Sequence, residues 1–236
     1  MVWKKLLGLF EKDSLCEEAY RECLIMLENS KSMFDDAVAS LWKEGTPEGD
    51  IYKRDRRINR FERKVRRDIV THLAVNSNPD ITGALVLTAI VIDLERLGDY
   101  AKNIVELASA HPDVFRGGDL EEEIKEIEGT VARLFDDLSA ALAHSDVDKA
   151  RQIIGDHQMV SDQVEELVQD LIAGKTMSDD SGEAVTAALY LRYLKRISAH
   201  LKNVATSVVN PYYRIGFREK TKSGDEPPKA EDDADE

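Results

Sequence analysis

The chain has 236 residues, a formal net charge of −14 and 42% apolar residues, with 13 glycines and 6 prolines. That is enough apolar material for one large or two small cores, and the acidic balance excludes non-specific nucleic-acid binding through a basic surface. With few breakers and no recurring strand-like alternation, the expected class is all-α.

Residues 1–13 open with MVWKKLLGLF, which places Trp3, Leu6, Leu7 and Phe10 on one helical face and Lys4 and Lys5 towards the other. Spanning a bilayer takes about 20 apolar residues, so this segment is too short, and EKDS follows without a small-residue cleavage site. Two readings remain: packing against the chain's own bundle or a dimer mate, or a peripheral membrane contact. The first long helix is expected over Ser14–Lys43, with a seam of Leu15, Ala19, Cys23, Met26, Ser30, Ala37 and Leu41 and with Met33 and Phe34 as core filler. Cys16 and Cys23, the only cysteines, lie roughly 10 Å apart along such a helix, too far for a disulfide. They read as buried, reduced thiols.

GTPEGD breaks the pattern, and a second helix is expected over Ile51–Val75, with Ile51, Ile58, Phe61, Val65, Ile69 and Leu73 as its seam. Asp55, Asn59 and Glu62 flank that seam, within reach of the next helix. The basic run from Lys53 to Arg67 reads as a solvated face, or as a contact for anionic lipid or an acidic partner. His72 lies near the seam as a core or interhelix histidine. Asn78 is the expected N-cap of a third helix, and Pro79 its first-turn residue. That helix carries an unbroken heptad stripe of Leu87, Ile90, Leu94, Leu97, Ala101, Ile104 and Ala108, and ends near Ala110.

HPDVFRGGD separates the two halves. A fourth helix is expected from about Leu120 to His144, along Ile124, Ile127, Val131, Leu134, Leu138, Ala141 and Leu142. Ser145 and Asp148 are spaced like a capping box for a fifth helix, Val147–Ala173, which carries Ile153, Val160, Val164, Leu167 and Leu171. A sixth helix is expected over Glu183–Val209, stopped by Asn210-Pro211. From Glu219 to Glu236 there are eight acids against three bases, the composition of a disordered tail, which is taken to start at about residue 213.

The halves repeat at an offset of about 100 residues. Leu94, Arg96, Lys102 and Asn103 recur as Leu194, Arg196, Lys202 and Asn203, and the seam recurs through Ala187, Tyr190, Leu194, Ile197, Leu201, Val204 and Val208. The opposite face does not repeat. Ile92, Glu95 and Asp99 become Arg192, Lys195 and Ala199. Glu95 and Asp99 lie four apart on one helix face, where like charges repel by a few tenths of a kcal/mol; on spacing alone the pair reads first as a solvated face, with a bound cation as the alternative that would offset the repulsion. An oxygen-only ligand set suits a hard ion: Mg²⁺, Mn²⁺ or ferric iron.

The string DLERLGDYAKNI resembles the E/D-x-x-x-D motif of the PhoU family, regulators of phosphate uptake. Glu95 and Asp99 are its acids, and Arg96, Gly98 and Asn103 also match; DRRINRFE resembles the family's second-helix pattern. The resemblance runs from about Glu17 to Val209. It implies two tandem three-helix bundles, residues 14–112 and 118–212, with one metal site or cluster in the first bundle only. Glu95 and Asp99 would centre it, and Asp55 and Glu62 would contribute. It further implies a non-enzymatic, cytoplasmic homodimer, possible at the inner membrane surface, that meets phosphate-transporter components and in many bacteria a sensor histidine kinase. The alternative is a helical adaptor with a degenerate metal site, accessory to another anion carrier. A di-iron or di-manganese carboxylate enzyme is disfavoured, because no His follows Glu or Asp at the i, i+3 spacing and the acidic pair points away from the seam. Neither a glycine-rich phosphate loop nor a nucleophile arrangement occurs.

Overall fold

The computed structural model describes residues 15–43, 49–111, 113–177 and 180–219. The N-terminal segment with Trp3, Leu6, Leu7 and Phe10, and the acidic tail from Lys220 onward, lie outside the described residues. Six α-helices follow one another: α1 Leu15–Leu41, α2 Ile51–Val75, α3 Ile81–Ala110, α4 Glu121–His144, α5 Val147–Ile172 and α6 Ser181–Val209. Single 3₁₀ turns at Gly118–Leu120 and Tyr212–Arg214 precede α4 and follow α6. None of the described helices is long and apolar enough to cross a membrane.

The apolar seams determine the packing. Every residue of the α3 and α6 stripes is buried, as are the α4 stripe and Phe135 beside it. Helices α1, α2 and α3 pack together as one bundle and α4, α5 and α6 as a second. The bundles lie side by side, α3 against α6 and α1 against α4. Phe34 of α1 stacks on Phe135 of α4 at 5.4 Å between ring centroids. Cys16 and Cys23 are free and fully buried. Burial pushes the Cys16 thiol up to about 11 and the Cys23 thiol higher still, so both stay protonated and inert at neutral pH.

Two helix starts differ from expectation. The N-cap of α3 is Asp80, whose carboxylate accepts from Gly83 N at 3.0 Å, so Asn78 and Pro79 precede the helix. The N-cap of α5 is Asp146, accepting from Lys149 N at 3.0 Å. Ser145 instead adopts φ 53° and closes α4, its amide reaching back to the Ala141 and Leu142 carbonyls. A residue already committed to a left-handed C-terminal turn cannot take the extended backbone of an N-cap. Helix α6 starts two residues earlier than expected, capped by Asp180 on Gly182 N and Glu183 N.

The basic run of α2 is not simply solvated. Arg54 pairs with Asp36 and donates to Ser32 Oγ at 2.8 Å. Lys64 gathers Glu18, Glu22 and Asp68 within 3.2 Å. These bonds tie α2 to α1 by charge where the seam ties it by packing. The connector between the halves is equally well held. Phe115 is buried against Trp42 and Tyr190, and Glu183 Oε1 accepts from Arg116 N and Gly117 N at 2.6 and 2.9 Å. Beyond α6, Asn210 Nδ2 donates to the Arg214 and Phe217 carbonyls. Glu219 makes a two-pronged bond to Arg151 of α5 at 2.8 Å on each prong. The chain from 213 to 219, assigned from sequence to the acidic tail, thus folds back on the second bundle.

Candidate functional site

The groove between α2 and α3 gathers all four acids singled out from sequence. Asp55 and Glu62 project from α2, Glu95 and Asp99 from α3. Their side chains keep only 13%, 17%, 16% and 23% of their accessibility, so they line a half-covered groove rather than an open surface. The two helices come together closely at Gly98. A Cβ there would stand 2.6 Å from Ile58 Cδ1, so the glycine in the acidic motif is a packing requirement that lets α2 lean on α3.

The electrostatics are uneven. Burial first, then Asp99, push the Glu95 carboxyl above its usual range; Arg96 opposes this, while Glu62 and Asp55 add to it. Glu95 is therefore a carboxylate whose charge is incompletely compensated, and its nearest cation is Arg96 Nε at 3.7 Å. The other three acids are held by the chain itself. Lys102 Nζ lies 2.8 Å from Asp99 Oδ1 and 3.1 Å from Asp55 Oδ1. Arg96 reaches Asp99 at 3.1 Å, and Arg66 reaches Glu62 at 2.6 Å. Asn59 Nδ2 donates to Asp55 Oδ2 at 3.3 Å. Among the described residues no three His, Cys, Asp or Glu side chains converge as in an assembled metal centre. The groove offers carboxylate oxygens, the donor type a hard cation takes, but the Lys102 ammonium already stands between Asp55 and Asp99.

Sequence reading tracked the acids and missed Lys102. The signal was present: Lys102 follows Asp99 by three residues, a spacing that places both on one helix face. It also missed Glu128, whose Oε2 accepts from Trp42 Nε1 at 2.7 Å and from Tyr190 OH at 2.6 Å, joining the turn after α1 to α4 and α6. His200 lies face to face with Tyr100 at 5.6 Å between centroids. Its Nδ1 is 2.7 Å from Asp93 Oδ1, which also accepts from Asn203 Nδ2 at 2.9 Å. The motif face of α3 is thereby fixed relative to the second bundle.

In the second bundle the corresponding groove has the opposite sign. Lys195 and Arg192 occupy the registers of Glu95 and Ile92, and both pair with Glu165 of α5, at 2.9 and 3.3 Å. Ala199 replaces Asp99. Only the first groove retains the acidic pair.

Comparison with known proteins agrees with the two-bundle fold. A family model described as the PhoU domain matches residues 13–108 and again residues 124–208. The two matched spans coincide with the two bundles. A phosphate-specific transport system accessory protein PhoU homolog of Clostridium acetobutylicum is 25% identical over 208 residues, 85% of this chain and 93% of that protein. The crystal structure of PhoU from Pseudomonas aeruginosa superposes with a TM-score of 0.69 at 23% identity, over 83% of this chain and 95% of that one. The phosphate transport system regulatory protein PhoU from Streptococcus pneumoniae gives 0.68 at 17% identity, over 82% and 93%. With both halves matched by the same domain model, the chain belongs to the PhoU family.

Proposed function

We propose that this protein is a regulatory accessory of phosphate transport, working at the cytoplasmic face of the membrane on a transporter component and, through it or directly, on a phosphate-responsive sensor kinase. The two tandem PhoU domains carry the reading, and the relative's name as a phosphate-specific transport accessory protein supports it. The role is one of binding and regulation rather than catalysis, and the working form is a homodimer. In this reading a hard cation, Mg²⁺, Mn²⁺ or iron, is held by Glu95 and Asp99 with Asp55 and Glu62 contributing. It would supply a fixed positive charge that bridges α2 and α3. Glu95, raised by burial and by its acidic neighbours, is the observation that favours it.

Lys102 favours a second reading of the same groove. Its ammonium already bridges Asp55 and Asp99, so the chain could act as a metal-free adaptor with a built-in cation. Elemental analysis of protein purified without chelator separates the two. About one or more equivalents of metal, lost in a Glu95→Ala/Asp99→Ala variant, supports the first; none in the wild type supports the second. A pull-down from detergent-solubilised membranes tests the regulatory role itself. Recovery of a phosphate-transport component is expected, and recovery of soluble partners alone contradicts it.

A further inference from the structure

The strongest uncommitted feature of the molecule is the basic cleft in the second bundle. It encloses about 500 Å³ and is lined by Tyr100 of α3, His157 and Ser161 of α5, and Arg192, Tyr193, Lys195, Arg196 and Ala199 of α6. Arg192, Lys195 and Arg196 stand at i, i+3 and i+4, so three cations project from one helix face. A single exposed carboxylate, Glu165, offsets two of them. Arg196 has no acidic partner among the described residues. Such a concentration of positive charge in a concave site, on a chain of net charge −14, attracts and focuses anions. Arginine forks in particular match tetrahedral oxyanions.

We propose that this cleft binds a phosphate group, either free inorganic phosphate or the terminal phosphate of a small ester. The cations supply the charge, and the Tyr100 and Tyr193 hydroxyls and Ser161 supply further donors around it. The cleft also contains an acceptor, which distinguishes phosphate from a fully ionised anion. Ser198 Oγ donates to Lys195 O at 2.9 Å and lies 2.9 Å from His157 Nδ1, which in the Nδ1–H tautomer donates to it. His157 Nε2 is left as a lone-pair acceptor. Burial, then Lys202 and Lys195, hold the His157 pKa down to about 4, against a small opposing effect of Asp162, so the ring stays neutral. The P–OH of hydrogen phosphate can donate to that nitrogen; sulfate has no proton to give. The inference stands on the cleft's own residues and does not rest on the acidic groove. Because Tyr100 comes from the first bundle and the cations from the second, an anion bound here touches both units.

Titration calorimetry of the full chain with inorganic phosphate, glycerol phosphate and sulfate, at fixed ionic strength, tests this. Phosphate is expected to bind with a dissociation constant at or below about 1 mM, tighter than sulfate. Arg196→Ala with Lys195→Ala should weaken it by at least about tenfold, and Glu165→Gln should strengthen it by freeing two cations. The gain in Glu165→Gln keeps the test decisive should the basic variants misfold. Tighter binding of glycerol phosphate than of phosphate identifies an ester as the ligand, and the reverse identifies the free ion. The proposal is overturned if phosphate does not bind, if sulfate binds equally well, or if binding disappears in Glu95→Ala/Asp99→Ala instead. It is also overturned if a synthetic peptide of residues 219–236 saturates the cleft while phosphate does not compete.

Discussion

Lys102 Nζ lies 3.1 Å from Asp55 Oδ1, across the groove between α2 and α3. With Asp99 on its other side, this ammonium bridges the two helices, where the proposed cation would have to compete with it. Two consequences follow for the energetics of the groove. A bound cation must compete with Lys102, and Glu95, which Lys102 does not reach by any close bond, remains the destabilised member of the acidic set.

Lys102→Ala should therefore raise metal affinity, by about tenfold or more, while lowering the stability of the metal-free chain. Glu95→Gln should do the reverse. The folded-state pKa of Glu95 is raised above its ordinary value, so the group stabilises the fold only while protonated, and that contribution is lost as pH rises through the folded pKa. At neutral pH, replacing it with a neutral amide should stabilise the metal-free protein, by less than about 1 kcal/mol given its partial exposure. Urea denaturation with chelator, set beside metal titration, checks both directions.

Glu128 should be among the costliest polar side chains to remove. Its Oε2 serves both Trp42 Nε1 and Tyr190 OH, and Tyr190 is fully buried. Glu128→Ala leaves two donors without that acceptor in the region where the turn after α1 meets α4 and α6. A loss of about 2–4 kcal/mol is expected, read as a lower urea midpoint. A change within experimental error would mean that this joint between the bundles is not held by the carboxylate.

His157 should make stability fall on mild acidification. Its pKa is lowered to about 4 in the folded chain from an ordinary 6.5. The unfolded chain therefore binds the extra proton first, and stability is lost as pH falls from about 6.5 towards 4. Allowing for solvent screening of a partly exposed ring, the effect should be about 1–2 kcal/mol. His157→Gln should flatten that part of the profile relative to wild type, measured by thermal melts between pH 7.5 and 4.5. Bound phosphate should not be present in this comparison, since the cleft contains the same ring.

Much of the fold was legible because six long helices each carry a continuous apolar stripe. The 3.6-residue period of Leu87 through Ala108 or of Ala187 through Val208 leaves little choice of buried face. Helix ends were less legible. Asn78 and Asp80, or Ser145 and Asp146, are rival caps one or two residues apart, and what decides between them is how the preceding segment ends. Ser145 closes α4 with positive φ and so cannot open α5. The acids of the groove could be read from spacing and resemblance, whereas Lys102 as their counter-ion required knowing that Asp55 stands opposite. The basic cleft was visible only as reversed charges in the repeat. That Tyr100 forms one of its walls depends on α3 packing against α6, a long-range contact no local pattern encodes.

The measurement that tests the central claim most directly is phosphate uptake, with phosphate-responsive transcription read in parallel, in a strain from which the gene is deleted and then restored. Loss of the protein should release uptake or its gene programme from repression when phosphate is ample, and the wild-type copy should restore control. Unchanged uptake and unchanged transcription on deletion would contradict the assignment of this chain to phosphate regulation.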